Sequence, residues 1–166
     1  MPAAEKTETG TGRGTARPGQ RQLFLGTFIH SKTADALEYL EDTAVAVDAT
    51  GVIVAVERGC GSEEQAKRQL YPRLGWTAAA DEVVVVHAAG PGRFFFPGFI
   101  DTHIHAPQFP NSGLFGQSTL LDWLNTYTFP MEASLAALPK ARRVYRHVVA
   151  RTLAHGTTTA AYYATI

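Results

Sequence analysis

The sequence predicts an α/β chain: a small antiparallel sheet first, then a strand, helices and a strand in the order found in a barrel or another parallel sheet. Three observations carry that expectation. Residues 22–56 alternate apolar and polar side chains in the manner of strands. A Pro97-Gly98 break precedes a strand-like run ending in His103-Ile104-His105. Val144, Val148, Val149 and Leu153 then recur at helical spacing, ahead of Gly156 and a stretch rich in Thr, Ala and Tyr.

The bulk numbers are compatible with a folded body. Of 166 residues, 45% are hydrophobic and 18% charged, enough apolar side chain to bury a core. Lys+Arg and Asp+Glu both number 15, so there is no basic stripe for nucleic acid and no acidic excess for a basic partner. A neutral small molecule fits better as ligand. The single cysteine, Cys60, excludes an internal disulfide framework and a Cys-x-x-Cys metal knuckle. No stretch approaches the roughly 20 apolar residues of a membrane-spanning helix, and residues 1–20 lack the apolar core of a signal peptide. The expectation is a cytoplasmic protein with no membrane or nucleic-acid partner.

Residues 7–20 are rich in Gly and Thr without apolar period, so burial there cannot offset the entropy of ordering, and 1–20 reads as a disordered leader. Gly10, Gly12 and Gly14 have the look of a phosphate loop, but no strand precedes them and no apolar helix follows. Strands are expected around Leu23 to Ile29, Thr43 to Val47 and Val52 to Val56, with a turn at Asp48-Ala49-Thr50-Gly51. Ser62 and Gln65 have capping-box spacing, which starts an exposed helix that ends before Pro72. Val83-Val84-Val85-Val86 is a β-branched run of strand length, and Gly90-Pro91-Gly92 turns the chain into Phe94-Phe95-Phe96. Beyond Pro97 come a strand from Phe99 to His105, helical periodicity around Leu120, Leu121 and Leu124, and a helix from about Pro139 to His155. Pro139 stands at its start and Gly156 at its stop. Thr157 to Thr165 reads as the next strand. A closed eightfold barrel needs about 250 residues, so only its beginning fits here.

His103 and His105 stand two apart on a strand, whose period of two sends both imidazoles to one face, where they can share a metal ion. Taken alone, that pair is a weak signal, because two histidines at this spacing more often belong to a surface strand or are satisfied core residues. The longer string Pro97-Gly98-Phe99-Ile100-Asp101-Thr102-His103-Ile104-His105 resembles the first barrel strand of the amidohydrolase superfamily. Further blocks resemble its guanine deaminase branch: His105-Ala106-Pro107-Gln108, Leu121-Asp122-Trp123-Leu124-Asn125-Thr126-Tyr127-Thr128-Phe129-Pro130, and Arg151-Thr152-Leu153-Ala154-His155-Gly156-Thr157-Thr158-Thr159-Ala160. The likeness runs from about Phe94 to Ile166, is weaker in the preceding part and is absent from the leader.

The resemblance implies an incomplete (β/α)8 TIM barrel over residues 97–166, preceded by a small β-sandwich domain over 21–96. It implies hydrolytic deamination of guanine to xanthine and ammonia, with Zn²⁺ held by His103 and His105 and lowering the pKa of water towards roughly 7. It also implies that Gln108 hydrogen-bonds the purine, an amide being both donor and acceptor. The groups that complete the metal shell and shuttle protons would come from later strands, downstream of Ile166. No catalytic residue is therefore expected in this chain, and the chain alone is expected to be inactive.

Asp101 shares the face of the histidines and reads either as the acceptor for a ligand imidazole's second N–H or as a buried structural carboxylate. Trp123, Tyr127 and Phe129 read as purine-pocket lining or as core. His30, His87, His147 and His155 lack a partner at ligand spacing and read as solvent or packing residues, and Cys60 as a loop thiol. Two other functions remain open: an amidohydrolase for another aminated heterocycle, and a non-catalytic product that associates with a partner. A homo-oligomeric parent enzyme is likewise an open expectation.

Overall fold

The computed structural model describes residues 19–77, 83–114 and 116–165. The expected leader lies outside them except for Gly19 and Gln20. The chain divides between Pro97 and Gly98 into two compact units.

In the first unit β1 (Arg21–Ser31), β2 (Leu37–Val47), β3 (Ile53–Glu57) and β4 (Val83–His87) form one sheet in the order β3-β2-β1-β4. The first three strands pair antiparallel, as their alternation predicts, whereas β4 lies parallel to β1, with Gln22 opposite Val84 and Phe24 opposite Val86. The sheet is therefore mixed. A parallel neighbour needs a long crossover, and the one here carries α1 (Glu63–Gln69) and α2 (Tyr71–Leu74). The capping box forms: Ser62 Oγ accepts from the Gln65 backbone N–H, and Gln65 Oε1 accepts from the Ser62 backbone N–H. Pro72 falls in the first turn of α2, where its missing N–H is harmless.

One face of the sheet is closed by these helices. Leu23 and Leu25 of β1 stand opposite Ala46 and Ala44 of β2, and this layer packs with Cys60, Ala66, Leu70, Tyr71 and Trp76. The alanines leave room for the helices to approach. Cys60 is fully buried there, and burial pushes its thiol pKa up, so it is a packing residue rather than a reactive one. Among the described residues this unit holds a single sheet, with helices rather than a second sheet over its core face.

The β1–β2 ladder carries a bulge where Gly26 pairs with Thr43 and Phe28 with Leu40. The extra residue falls at Glu41-Asp42, and Asp42 adopts φ 44°, which a short polar side chain tolerates. The predicted turn into β3 is built by Asp48, whose Oδ1 accepts from the backbone N–H groups of Thr50 (2.8 Å) and Val52 (3.0 Å) and from the Thr50 hydroxyl (2.7 Å).

In the second unit β5 (Phe99–His105) and β6 (Thr157–Tyr163) form a two-stranded parallel sheet. The connection between them runs through a 3-10 segment (Ala106–Asn111), α3 (Leu120–Trp123), a π-helical turn (Leu124–Thr128), α4 (Phe129–Ser134) and α5 (Leu138–Ala154). Pro107 and Pro110 lie in the 3-10 segment, and Pro130 lies in the first turn of α4. These prolines explain why the helical region is broken into short pieces. α5 is the long helix that the Val144, Val148 and Leu153 spacing predicts. Pro139 sits in its first turn, and Gly156, at φ 88°, ends it.

Gly98 has a separate reason to be glycine. A Cβ built there would lie 2.7 Å from Thr158 Cβ and closer still to that residue's Oγ1 and Cγ2. The start of β5 can approach β6 only without a side chain at this position.

Candidate metal and substrate site

His103 and His105 project from the same face of β5, and their Nε2 atoms lie 2.9 Å apart. Two nitrogens bound to one tetrahedral ion at about 2.0–2.1 Å would be separated by about 3.3 Å, so a small opening of the pair accommodates a shared metal. Both imidazoles are exposed, and among the described residues neither forms an ion pair with a carboxylate. Among the described residues no third His, Cys, Asp or Glu joins them.

The pair is held by its neighbours. Tyr163, which pairs with His105 across the β5–β6 ladder, stacks on His103 with ring centroids 4.2 Å apart and on His105 at 5.4 Å. Asp101 is half-buried and makes its contact to the backbone. Its Oδ1 accepts the backbone N–H of His103 at 3.0 Å, not an imidazole N–H. The bond sits where the β5–β6 register slips between Asp101 and Ile104, so the carboxylate satisfies an N–H beside the irregular ladder and fixes the backbone under His103.

Gln108 follows on the 3-10 segment. It is half-buried, and its Nε2 donates to Glu132 Oε1 of α4 at 3.1 Å. Gln108 and His105 line two clefts of about 300 Å³ each. One is shared with Ile104, Phe109, Trp123 and Val148. The other is shared with Thr128, Phe129, Glu132 and Tyr163. Trp123 and Phe129 thus line clefts beside the histidines rather than fill a core. Tyr127 is partly exposed, and its backbone carbonyl accepts from Asn111 Nδ2 at 2.9 Å.

Three of the remaining histidines have contacts of their own. His30 contacts Glu38 at 3.1 Å, His147 lies beside Phe109, and the His155 ring meets the Arg151 carbonyl at 2.7 Å. Sequence reasoning missed Glu132, Thr128 and Tyr163. Thr128 and Glu132 are spaced i, i+4, which would put them on one helical face, and Tyr163 lies on the strand beside His105. Neither pattern names the partner across the chain.

Residues 94–166 match the Amidohydrolase family. The probable guanine deaminase of Schizosaccharomyces pombe is 42% identical over 144 residues, covering 87% of this chain and 26% of that protein. Guanine deaminase of Rattus norvegicus is 41% identical over 144 residues, covering 87% of this chain and 30% of that protein. Among solved structures, guanine deaminase from C. acetobutylicum with guanine bound in its active site superposes with a TM-score of 0.64 at 28% identity. That match covers 88% of this chain and 30% of the other.

A strand ending in paired histidines returns through helices to a parallel strand within residues 94–166, the part of the chain that the Amidohydrolase family matches. The chain is similar to guanine deaminases over the portion of those enzymes that it covers. It spans about 30% of the length of the relatives just described.

Proposed function

We propose that this chain supplies the opening part of the active site of a guanine deaminase, a hydrolase converting guanine to xanthine and ammonia. The observation that carries the reading is the 2.9 Å approach of His103 and His105 Nε2 on one face of β5, followed three residues later by Gln108. The relatives' names and the guanine bound in the C. acetobutylicum enzyme support the same substrate.

In this reading His103 and His105 hold a zinc ion, which when bound lowers the pKa of water towards roughly 7 and supplies a nucleophile at neutral pH. Tyr163 limits rotation of both imidazoles by stacking, and Asp101 holds the backbone beneath His103. Gln108 offers its amide to the purine edge from the cleft next to His105. Among the described residues no third metal ligand joins the pair, and in this reading the remaining ligands and the proton shuttle come from a longer protein that carries this chain.

The finer architecture belongs to the same proposal. β5, the helices and β6 make the first repeat of a (β/α)8 barrel, and the mixed sheet of the first unit makes part of a small β-sandwich. Xanthine formation from guanine with added zinc tests the reading. Purified chain is expected to be inactive, and a longer protein that carries it is expected to be active. Turnover of another aminated heterocycle with guanine untouched would instead favour an amidohydrolase of different specificity.

A further inference from the structure

Gln108 does not enter the cleft as a freely turning amide. A side-chain amide can rotate by half a turn and exchange its donor for its acceptor, so alone it discriminates poorly between ligand edges. Here Nε2 is committed to Glu132 Oε1 across 24 residues of sequence. A carboxylate only accepts, so it rejects the flipped amide, which would oppose two oxygens. The orientation of Gln108 is therefore set by a residue of α4 that the histidine pair does not touch.

The same cleft contains a second polar feature. Thr128 is 1% exposed, and its Oγ1 has no hydrogen-bond partner among the described residues. It lies on the wall that also carries His105, Gln108, Glu132 and Tyr163, at the end of the π-helical turn, a distortion frequent at functional sites. The cleft thus combines an amide of fixed polarity with a buried threonine whose hydroxyl has no partner among the described residues.

We infer that Glu132 is a positioning residue for specificity. By accepting the Gln108 Nε2–H it leaves Gln108 Oε1 as the ligand-facing acceptor and favours heterocycles that present an N–H there. This rests on the substrate-binding role given to Gln108 above, and it assigns a role to Glu132 that the histidine pair does not require.

Two measurements test it. In a longer protein that carries this chain, Glu132→Gln removes the bias against the flipped amide. KM for guanine should rise about tenfold while kcat changes by less than about threefold, with the melting temperature little altered. Gln108→Glu alone sets two carboxylates against each other and should be worse. The double change Gln108→Glu with Glu132→Gln restores a donor–acceptor pair with an oxygen still facing the ligand, and should bring KM most of the way back.

The second measurement needs no turnover: the side-chain amide signals of Gln108 in the 166-residue chain. One proton should be downfield and slow to exchange, and Glu132→Leu, which removes the acceptor, should abolish that asymmetry. Amide signals unchanged by Glu132→Leu would overturn the inference. So would an unchanged KM, or kcat and KM moving together with the melting temperature. Absence of guanine turnover in the unaltered longer protein would remove the proposed function, and the amide signals would still decide whether Glu132 orients Gln108.

Discussion

Tyr163 stacks on His103 with ring centroids 4.2 Å apart and planes 25° from parallel, so a side chain of β6 braces a candidate metal ligand of β5. Aromatic stacking of this kind contributes about 0.5–1.5 kcal/mol. Tyr163→Ala should therefore weaken zinc binding about threefold to tenfold, measured by competition with a chromogenic chelator. His103→Ala or His105→Ala should reduce binding to the level of a non-specific surface histidine. Unchanged affinity in both histidine variants would show that the metal is held elsewhere.

Gly98 faces Thr158 at a distance that leaves no space for a methyl group. Gly98→Ala should push β5 from β6 and destabilise the second unit by about 1–3 kcal/mol, the usual range for overpacking. Urea denaturation followed by circular dichroism measures this. Adding Thr158→Gly should recover much of the loss beyond its own intrinsic cost, and simple additivity of the two changes would argue against the steric account.

Leu25 is fully buried between the sheet and the crossover helices, whereas Ile53 at the sheet edge is 61% exposed. Leu25→Ala should cost about 2–5 kcal/mol through lost burial and the cavity left behind. Ile53→Ala should lie within about 0.5 kcal/mol of the parent. Similar denaturation midpoints for the two variants would contradict the placement of the core.

The turn between β2 and β3 has a pH signature. Hydrogen bonds from the Thr50 hydroxyl, and from the backbone N–H groups of Val52 and Thr50, hold the Asp48 carboxyl below its ordinary pKa of 3.8. A carboxylate with a lowered folded-state pKa contributes stability that is fully present above the unfolded value and is lost as pH falls through the folded one. The first unit should hold this contribution at neutral pH and lose it below about pH 4. Asp48→Asn, which keeps an acceptor but cannot titrate, should flatten that part of the melting-temperature profile against pH. An identical acid limb in both proteins would rule out Asp48 as its source.

Features written into neighbouring residues were legible before the fold was known. β1, β2 and β3 follow from alternation, the Ser62–Gln65 box from spacing, α5 from its apolar period and Gly156, and the meeting of His103 with His105 from the period of two in β5. Features set by distant contacts were not legible. Nothing in Val83-Val84-Val85-Val86 says that it pairs parallel to β1, because both orientations accept a β-branched run. The broken helices between Leu120 and Ser134 preserve a helical apolar pattern while changing pitch through a π turn, which periodicity does not resolve. Asp101 presented a carboxylate on the histidine face, but the register slip beside it turned that carboxylate to a backbone N–H. The Gln108–Glu132 bond joins residues 24 apart through the packing of two short helices, and no local pattern encodes it.

The most direct test of the central claim is xanthine formation from guanine by a longer protein that carries this chain, with zinc, compared with the same protein bearing His103→Ala and His105→Ala. Turnover is expected in the unaltered protein, with loss of at least about three orders of magnitude in kcat/KM in the double variant, as follows when a metal that generates the nucleophile is lost. Turnover that survives the double substitution would contradict the assignment of His103 and His105 as the ligands on which the chemistry depends.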